Sequence, residues 1–211
     1  MGYTRSTPDT ARTMQHHTQT SELDYATGIE AILTQLDTQK GLYMSSGIEY
    51  PGRYSRWDFA LIDPPVEFIA YATHIDIKSL NPRGEIILKM LRPLFEADSR
   101  LALSSITTQH AVLHVLPSDE TFAEEHRSHK PSVVTPLRVV MASLKTAEND
   151  FGFYGAFGFD LIGVFEALEG APVNEEVKLY HLYFTDEVYL VDRRKETALR
   201  KRLVLEQGGV S

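Results

Sequence analysis

Apolar positions along the chain change period several times, and each change marks an element. Ile29, Ile32, Leu33 and Leu36 recur at spacings of three and four, which predicts a helix over 25–39 with Gly41 as its stop. Two apolar runs follow within 41–65, GLYMSSGIEYPGRYSRWDFALIDPP, separated by polar residues and the turn signal Tyr50-Pro51-Gly52. They predict two strands joined by a polar loop. Next, Val66, Phe68, Ala70 and Ala72 alternate with Glu67, Ile69 and Tyr71, and Ile75 and Ile77 alternate with Asp76 and Lys78, so two further strands are predicted. Asn81-Pro82-Arg83-Gly84 breaks the alternation. Residues 85–95 return to helical spacing through Ile86, Ile87, Met90, Leu91 and Leu94, with Pro93 predicting an interruption.

The second half is less regular. Residues 101–117 are ambiguous, with 111–116 reading as strand, and 117–136 is the longest internal polar stretch, either a surface loop or a boundary between two lobes. Phe151, Phe153, Phe157 and Phe159 keep a period of two, which predicts one core-facing side of a strand, while Gly152, Gly155 and Gly158 admit close neighbours. Leu161, Val164, Phe165 and Leu168 then repeat at helical spacing, with Asp160 as N-cap. Residues 177–192 predict two strands around the turn Thr185-Asp186-Glu187. Arg193-Arg194-Lys195 opens a charged tail over 193–211, read as helical to about 205, and residues 1–20 hold almost nothing to bury and read as a flexible lead-in. The expected organisation is therefore lead-in 1–20, one domain over 21–192 and the tail. Strands and helices alternating in this way predict mixed α+β with largely antiparallel sheets.

Composition narrows the classes. With 211 residues, 43% of them hydrophobic, the chain can bury one sizeable core or two small ones. Its 21 basic and 29 acidic side chains give a formal charge of −8, which argues against non-specific nucleic-acid binding. The absence of cysteine excludes disulfides, thiolate metal sites and a cysteine nucleophile of the glutamine amidotransferase kind. No apolar run approaches the roughly 20 residues of a membrane span, and 1–20 lacks the apolar segment of a secretory leader, so a cytoplasmic protein is expected.

Candidate chemistry concentrates between 41 and 65. Ser45, Ser46, Arg53, Arg56 and Trp57 offer two hydroxyls, two guanidinium forks and an indole within about a dozen residues, a set suited to a small zwitterion. Other signals carry less. His110 and His114 have helical metal-ligand spacing but sit in strand-like sequence without the glutamate of an HExxH motif; His126 and His129 lie among charged residues, and His181 reads as a partnered core or edge residue. The glycines of 152–158 lack the spacing and the following lysine of a phosphate loop.

Three separated motifs resemble the amino-terminal region of the large, chorismate-using component of anthranilate synthase. They are a strand ending in Ser46 followed by Gly52-Arg53-Tyr54-Ser55, the glycine-aromatic strand leading to Phe159-Asp160-Leu161 and Phe165-Glu166, and the strand pair ending at Asp192. Ser45-Ser46 with Tyr50-Pro51-Gly52-Arg53-Tyr54 and Trp57-Asp58 is similar to the fused enzymes, whereas many two-subunit enzymes carry a glutamate where Ser45 stands. The resemblance implies orthogonally packed antiparallel sheets with helices outside, and the feedback site for tryptophan at Ser46 with Ser45, Arg53 and Tyr54. It implies no catalytic residues here, because chorismate and magnesium are held by a carboxyl-terminal region whose motifs are missing. The partners implied are tryptophan, that chorismate-binding region and a glutamine amidotransferase part, with no nucleic acid and no membrane. A stand-alone amino-acid-binding module, a portion of a sister enzyme such as aminodeoxychorismate synthase, and a purely structural module are the alternatives.

Overall fold

In the computed structural model residues 14–46, 56–117, 130–144, 149–165 and 175–206 are described. The first half runs β1 (His16–Leu23), α1 (Tyr25–Leu36), β2 (Gly41–Ser45), β3 (Trp57–Ile62), β4 (Val66–Ala70), β5 (Ile75–Ser79), α2 (Pro82–Ala97), β6 (Leu101–Ile106) and β7 (His110–Val115). It continues with α3 (Thr135–Leu144), β8 (Phe153–Phe157), a 3-10 turn (Phe159–Leu161), α4 (Ile162–Phe165), β9 (Tyr180–Phe184), β10 (Glu187–Asp192) and β11 (Thr197–Leu205). The strands form two antiparallel sheets. Sheet I has the order β1-β11-β10-β3-β2 and sheet II the order β6-β7-β5-β4-β9-β8. This is the mixed α+β class expected from the alternation of elements.

The sheets share a core because the chain passes from one to the other twice. Asp63-Pro64-Pro65 carries β3 of sheet I into β4 of sheet II, with Asp63 at φ 49° and pinned by Arg83, which donates to its carbonyl and carboxylate, and by Asn81 Nδ2 at 3.2 Å from the carbonyl. Thr185-Asp186 carries β9 of sheet II into β10 of sheet I. The two strands expected around that turn are present, in different sheets. Thr185 N donates to Gly152 O on one side of the corner while Asp186 O accepts from Leu203 N on the other, so the two strands continue into different ladders. Phe68, Ile75, Ile77, Leu113, Leu182 and Phe184 of sheet II meet Leu88, Leu91 and Phe95 of α2, with Val188 and Leu203 of sheet I in the same cluster. A smaller core lies under α1, where Ile32 meets Ala60, Ile62, Tyr189, Val191 and Ala198.

Local chemistry sets several boundaries. Asn81 and Pro82 do not merely break a strand, because Asn81 Oδ1 accepts from Gly84 N at 3.1 Å as the cap of α2 and Pro82 occupies its first turn. Gly84 is needed there, since a Cβ would meet Pro65 O at 2.0 Å. The interruption predicted at Pro93 does not occur: the buried stripe Leu88, Leu91, Leu94 and Phe95 holds both halves of the helix to the sheet. Helix α1 ends at Leu36, short of 39, and Gly41 is not its stop but the first residue of β2, so close to the neighbouring strand that a Cβ would meet Leu61 O at 2.3 Å.

Both chain ends depart from expectation. Residues 16–20, assigned to a loose lead-in, lie in β1, which pairs along eight residues with β11. Residues 197–205, read as helix, form β11, whose Arg200 and Arg202 face the buried Glu187 across the ladder at 2.7 and 2.8 Å. Two charges of the expected helical tail instead neutralise an interior carboxylate. The aromatic segment is corrected too: Phe151 is buried and Phe153 packs edge-on against Phe68, but Phe157 and Phe159 leave the core. Asp160 lies inside the 3-10 turn that Gly158 precedes, and the helix is described only to Phe165, so Glu166 and Leu168 lie outside the described residues. Ambiguity over 101–117 resolves into the antiparallel pair β6 and β7. Most of the polar stretch 117–136, with His126 and His129, lies outside the described residues.

Candidate functional site

The expected site sits at the edge of sheet I, because β2 is the last strand of its order and has β3 as its partner. Ser45 is opposite Asp58, and the ladder extends one residue further through Ser46 N to Trp57 O at 3.3 Å. Successive side chains of a strand point to opposite faces, so the two adjacent hydroxyls are divided between the two sides of the sheet. This separation decides what each can do.

Ser45 belongs to the side that carries α1. Its Oγ donates to Asp58 Oδ1 at 2.7 Å, and Arg193 donates to Asp58 Oδ2 through Nε at 2.8 Å and to Ser45 Oγ through Nη2 at 3.3 Å. Asp58 is 1% exposed, so this carboxylate is held by a hydroxyl and a guanidinium rather than by water. The hydrogen bond to Asp58, with a further contribution from Tyr43, raises the Arg193 pKa. Ser45 is thus a brace for a buried acid.

Ser46 belongs to the other side, with Met44 and Trp57, both about half exposed. Its Oγ donates to Trp57 O at 2.9 Å and accepts from Trp57 N at 3.3 Å, which leaves one lone pair of the hydroxyl uncommitted by these contacts. Arg56 stacks over the Trp57 ring at 4.8 Å from its centroid and forks onto Asp192 at 2.7 and 3.1 Å. That bond is the main reason the Asp192 carboxyl is held down to about 2, with backbone donors from Arg194 and Lys195 assisting. Arg56 is therefore committed to structure and is not a loose fork awaiting a ligand. Arg53 and Tyr54 lie outside the described residues.

The remaining candidates resolve as structural. His110 and His114 occupy a strand, where a spacing of four separates them by roughly 13 Å; His110 Nε2 meets Asp76 at 3.2 Å and His114 Nε2 meets Ser104 Oγ at 2.9 Å. His181 Nε2 lies 3.1 Å from the buried Glu67, so the histidine is partnered as expected from sequence, on an inner strand of sheet II. Among the described residues no three His, Asp or Glu side chains converge to hold a metal ion, so they offer magnesium no fitted donor set. None of their helices is long and apolar enough to cross a membrane. Asp58, Asp192 and Arg193 went unnoticed as parts of this edge; the one signal for them is an acid set within apolar strand sequence at Asp58 and again at Asp192.

Two antiparallel sheets joined at two corners, with helices packed on them and a serine beside an exposed indole on the edge strand of sheet I, define an α+β protein. No family model matches the chain. It is 33% identical to the anthranilate synthase of Azospirillum brasilense over 183 residues, which is 81% of this chain and 23% of that protein. It is 24% identical over 140 residues to anthranilate synthase component 1 of Vibrio cholerae, covering 65% of this chain and 26% of that one. With component 1 of Buchnera aphidicola the figures are 23% over 143 residues, 66% and 27%. Along the matched residues the chain is anthranilate synthase component I-like, and it spans about a quarter of the length of these curated relatives.

Proposed function

We propose that this chain is the amino-terminal regulatory portion of an anthranilate synthase, carrying the site at which tryptophan inhibits the formation of anthranilate from chorismate and glutamine. The observation that carries the reading is the placement of Ser46 on one face with Met44 and Trp57 at an open strand edge. An indole would lie against the Trp57 ring and the Met44 thioether, and the ligand's ammonium would donate to the free lone pair of Ser46 Oγ. Backbone groups of β2 that have no strand partner among the described residues, together with Arg53, would meet the carboxylate. Ser45 would contribute indirectly, by fixing the strand through Asp58.

Chemistry on chorismate, the magnesium ion it uses and ammonia supplied by an amidotransferase would belong to polypeptide outside these residues. Tryptophan at the edge of sheet I would act by favouring one arrangement of the two regions, and the coupling is reciprocal, so chorismate would weaken tryptophan binding by the same factor. The test is a complete enzyme containing this chain. Ser46→Ala is expected to raise the tryptophan concentration for half inhibition by tenfold or more, a loss of about 1.4 kcal/mol, without lowering kcat. Inhibition unchanged by the substitution refutes the site.

A further inference from the structure

Ser46, Trp57 and Asp192 stand side by side in one row across sheet I. Asp192 of β10 is directly opposite Trp57 of β3, and from Trp57 the ladder continues to Ser46 beyond the end of β2. Residues opposite one another on neighbouring strands share a face, so the carboxylate, the indole and the hydroxyl lie on the same side at steps of about 5 Å. The row runs outward from a buried acid, since Asp192 is 2% exposed and Trp57 51%.

Arg56 joins the acid to the ring. Its Nε and Nη2 donate to Asp192 at 3.1 and 2.7 Å, and its guanidinium carbon lies 4.8 Å from the centre of the Trp57 ring. Asp192 is fixed in turn, because Oδ1 also accepts from Arg194 N at 3.0 Å and from Lys195 N at 3.2 Å where β10 turns toward β11. The Arg56 main chain is held separately, its carbonyl accepting from Arg193 N at 2.8 Å. An indole half out of the protein has few packing contacts to choose among its rotamers, and a cation set over it by a buried acid selects one. A ring that is loose before binding must be ordered when a ligand arrives, which costs roughly two- to tenfold in affinity.

We infer that Arg56 is a positioning residue for the tryptophan site: anchored on Asp192, it fixes the Trp57 ring in the orientation against which the effector's indole lies, without itself touching the effector. The inference rests on the reading of the Ser46 edge as that site. It adds that a buried acid and an arginine standing behind the wall govern how tightly the wall is met. Ser46 holds the ligand's polar end in that reading whether or not the ring is fixed, so the two can fail separately.

The chain has a single tryptophan, so its fluorescence reports the Trp57 ring alone. In Arg56→Met, which keeps an aliphatic stem and the main-chain bond to Arg193, the fast local component of the anisotropy decay should rise at least about twofold in amplitude. Asp192→Asn keeps an acceptor for the two turn amides but removes the charge that anchors Arg56, and should act in the same direction to a smaller extent. In a complete enzyme containing this chain, calorimetry with L-tryptophan should show about fivefold weaker binding for Arg56→Met. Arg56→Lys, which retains a cation for the ring but not the fork, should fall between the two. A purely structural Arg56 predicts a lower melting temperature with ring motion and affinity unchanged, and that result overturns the inference. A loosened ring with tryptophan affinity within about twofold of the parent overturns it too, and Ser46→Ala still losing affinity then leaves the functional reading standing. A parent enzyme that binds no tryptophan fails the functional reading itself, and the inference falls with it.

Discussion

Removing Arg193 should damage the protein more than removing the acid it serves. Asp58 is 1% exposed and has two partners, Ser45 Oγ at 2.7 Å and Arg193 Nε at 2.8 Å, whereas the Arg193 side chain remains 40% exposed. Arg193→Met leaves a carboxylate in the interior with one hydroxyl donor and no counter-charge. Breaking a fully buried pair costs about 3–5 kcal/mol; with the arginine partly hydrated, the discounted expectation is about 2–3 kcal/mol. Asp58→Asn keeps the volume and an acceptor for Ser45 and frees a guanidinium that water can reach, for about 1 kcal/mol. The double variant should resemble Asp58→Asn alone, a coupling of about 2–3 kcal/mol. Urea unfolding followed by circular dichroism at pH 7 measures all three, and thermal melts should show Arg193→Met lowered by roughly 5–10 °C. Equal losses for the two single variants, or additive ones, would refute the view that Asp58 is a buried charge held by Arg193.

Other expectations follow from single contacts. Gly155→Ala should destabilise by more than about 2 kcal/mol in a thermal melt, because Gly155 sits at φ 155° and a Cβ would meet His181 O at 2.2 Å; a neutral result would contradict the close approach of β8 to β9. Tyr180→Phe removes the bond from a buried phenol to Val133 O at 2.7 Å and should cost about 1–2 kcal/mol in urea unfolding. The Asp192 carboxyl, held down to about 2 by Arg56, contributes stability that is complete above its unfolded value near 3.8 and is lost as pH falls from there toward 2. Acid titration of Asp192→Asn should therefore show a shallower loss between pH 4 and 2, and an identical acid profile would exclude that role.

Period and alternation made much of the interior legible. The strand Val66–Ala70, the stripe of α2 and the strand pair β2 and β3 all follow from local spacing of apolar residues. What failed was decided by partners distant in sequence. His16–Leu23 has almost no apolar signal because it is an edge strand, and edges favour polar residues. The basic run of β11 read as helix because Glu187, the acid it faces, lies about a dozen residues away across a ladder. Thr185-Asp186-Glu187 carries the composition of a hairpin turn, yet whether such a corner stays in one sheet depends on which ladders receive the two strands. The candidate site was found at Ser45 and Ser46 from residue type, but their opposite orientations follow only once the pairing with Asp58 and Trp57 is known.

That division of the two serines gives the most direct test. In a complete enzyme containing this chain, tryptophan titration monitored by calorimetry should weaken about tenfold or more with Ser46→Ala, while Ser45→Ala, on the far face, lowers the melting temperature and leaves the affinity within about twofold. Loss of tryptophan binding through Ser45→Ala with Ser46→Ala unaffected, or equal affinity in all three proteins, would contradict it.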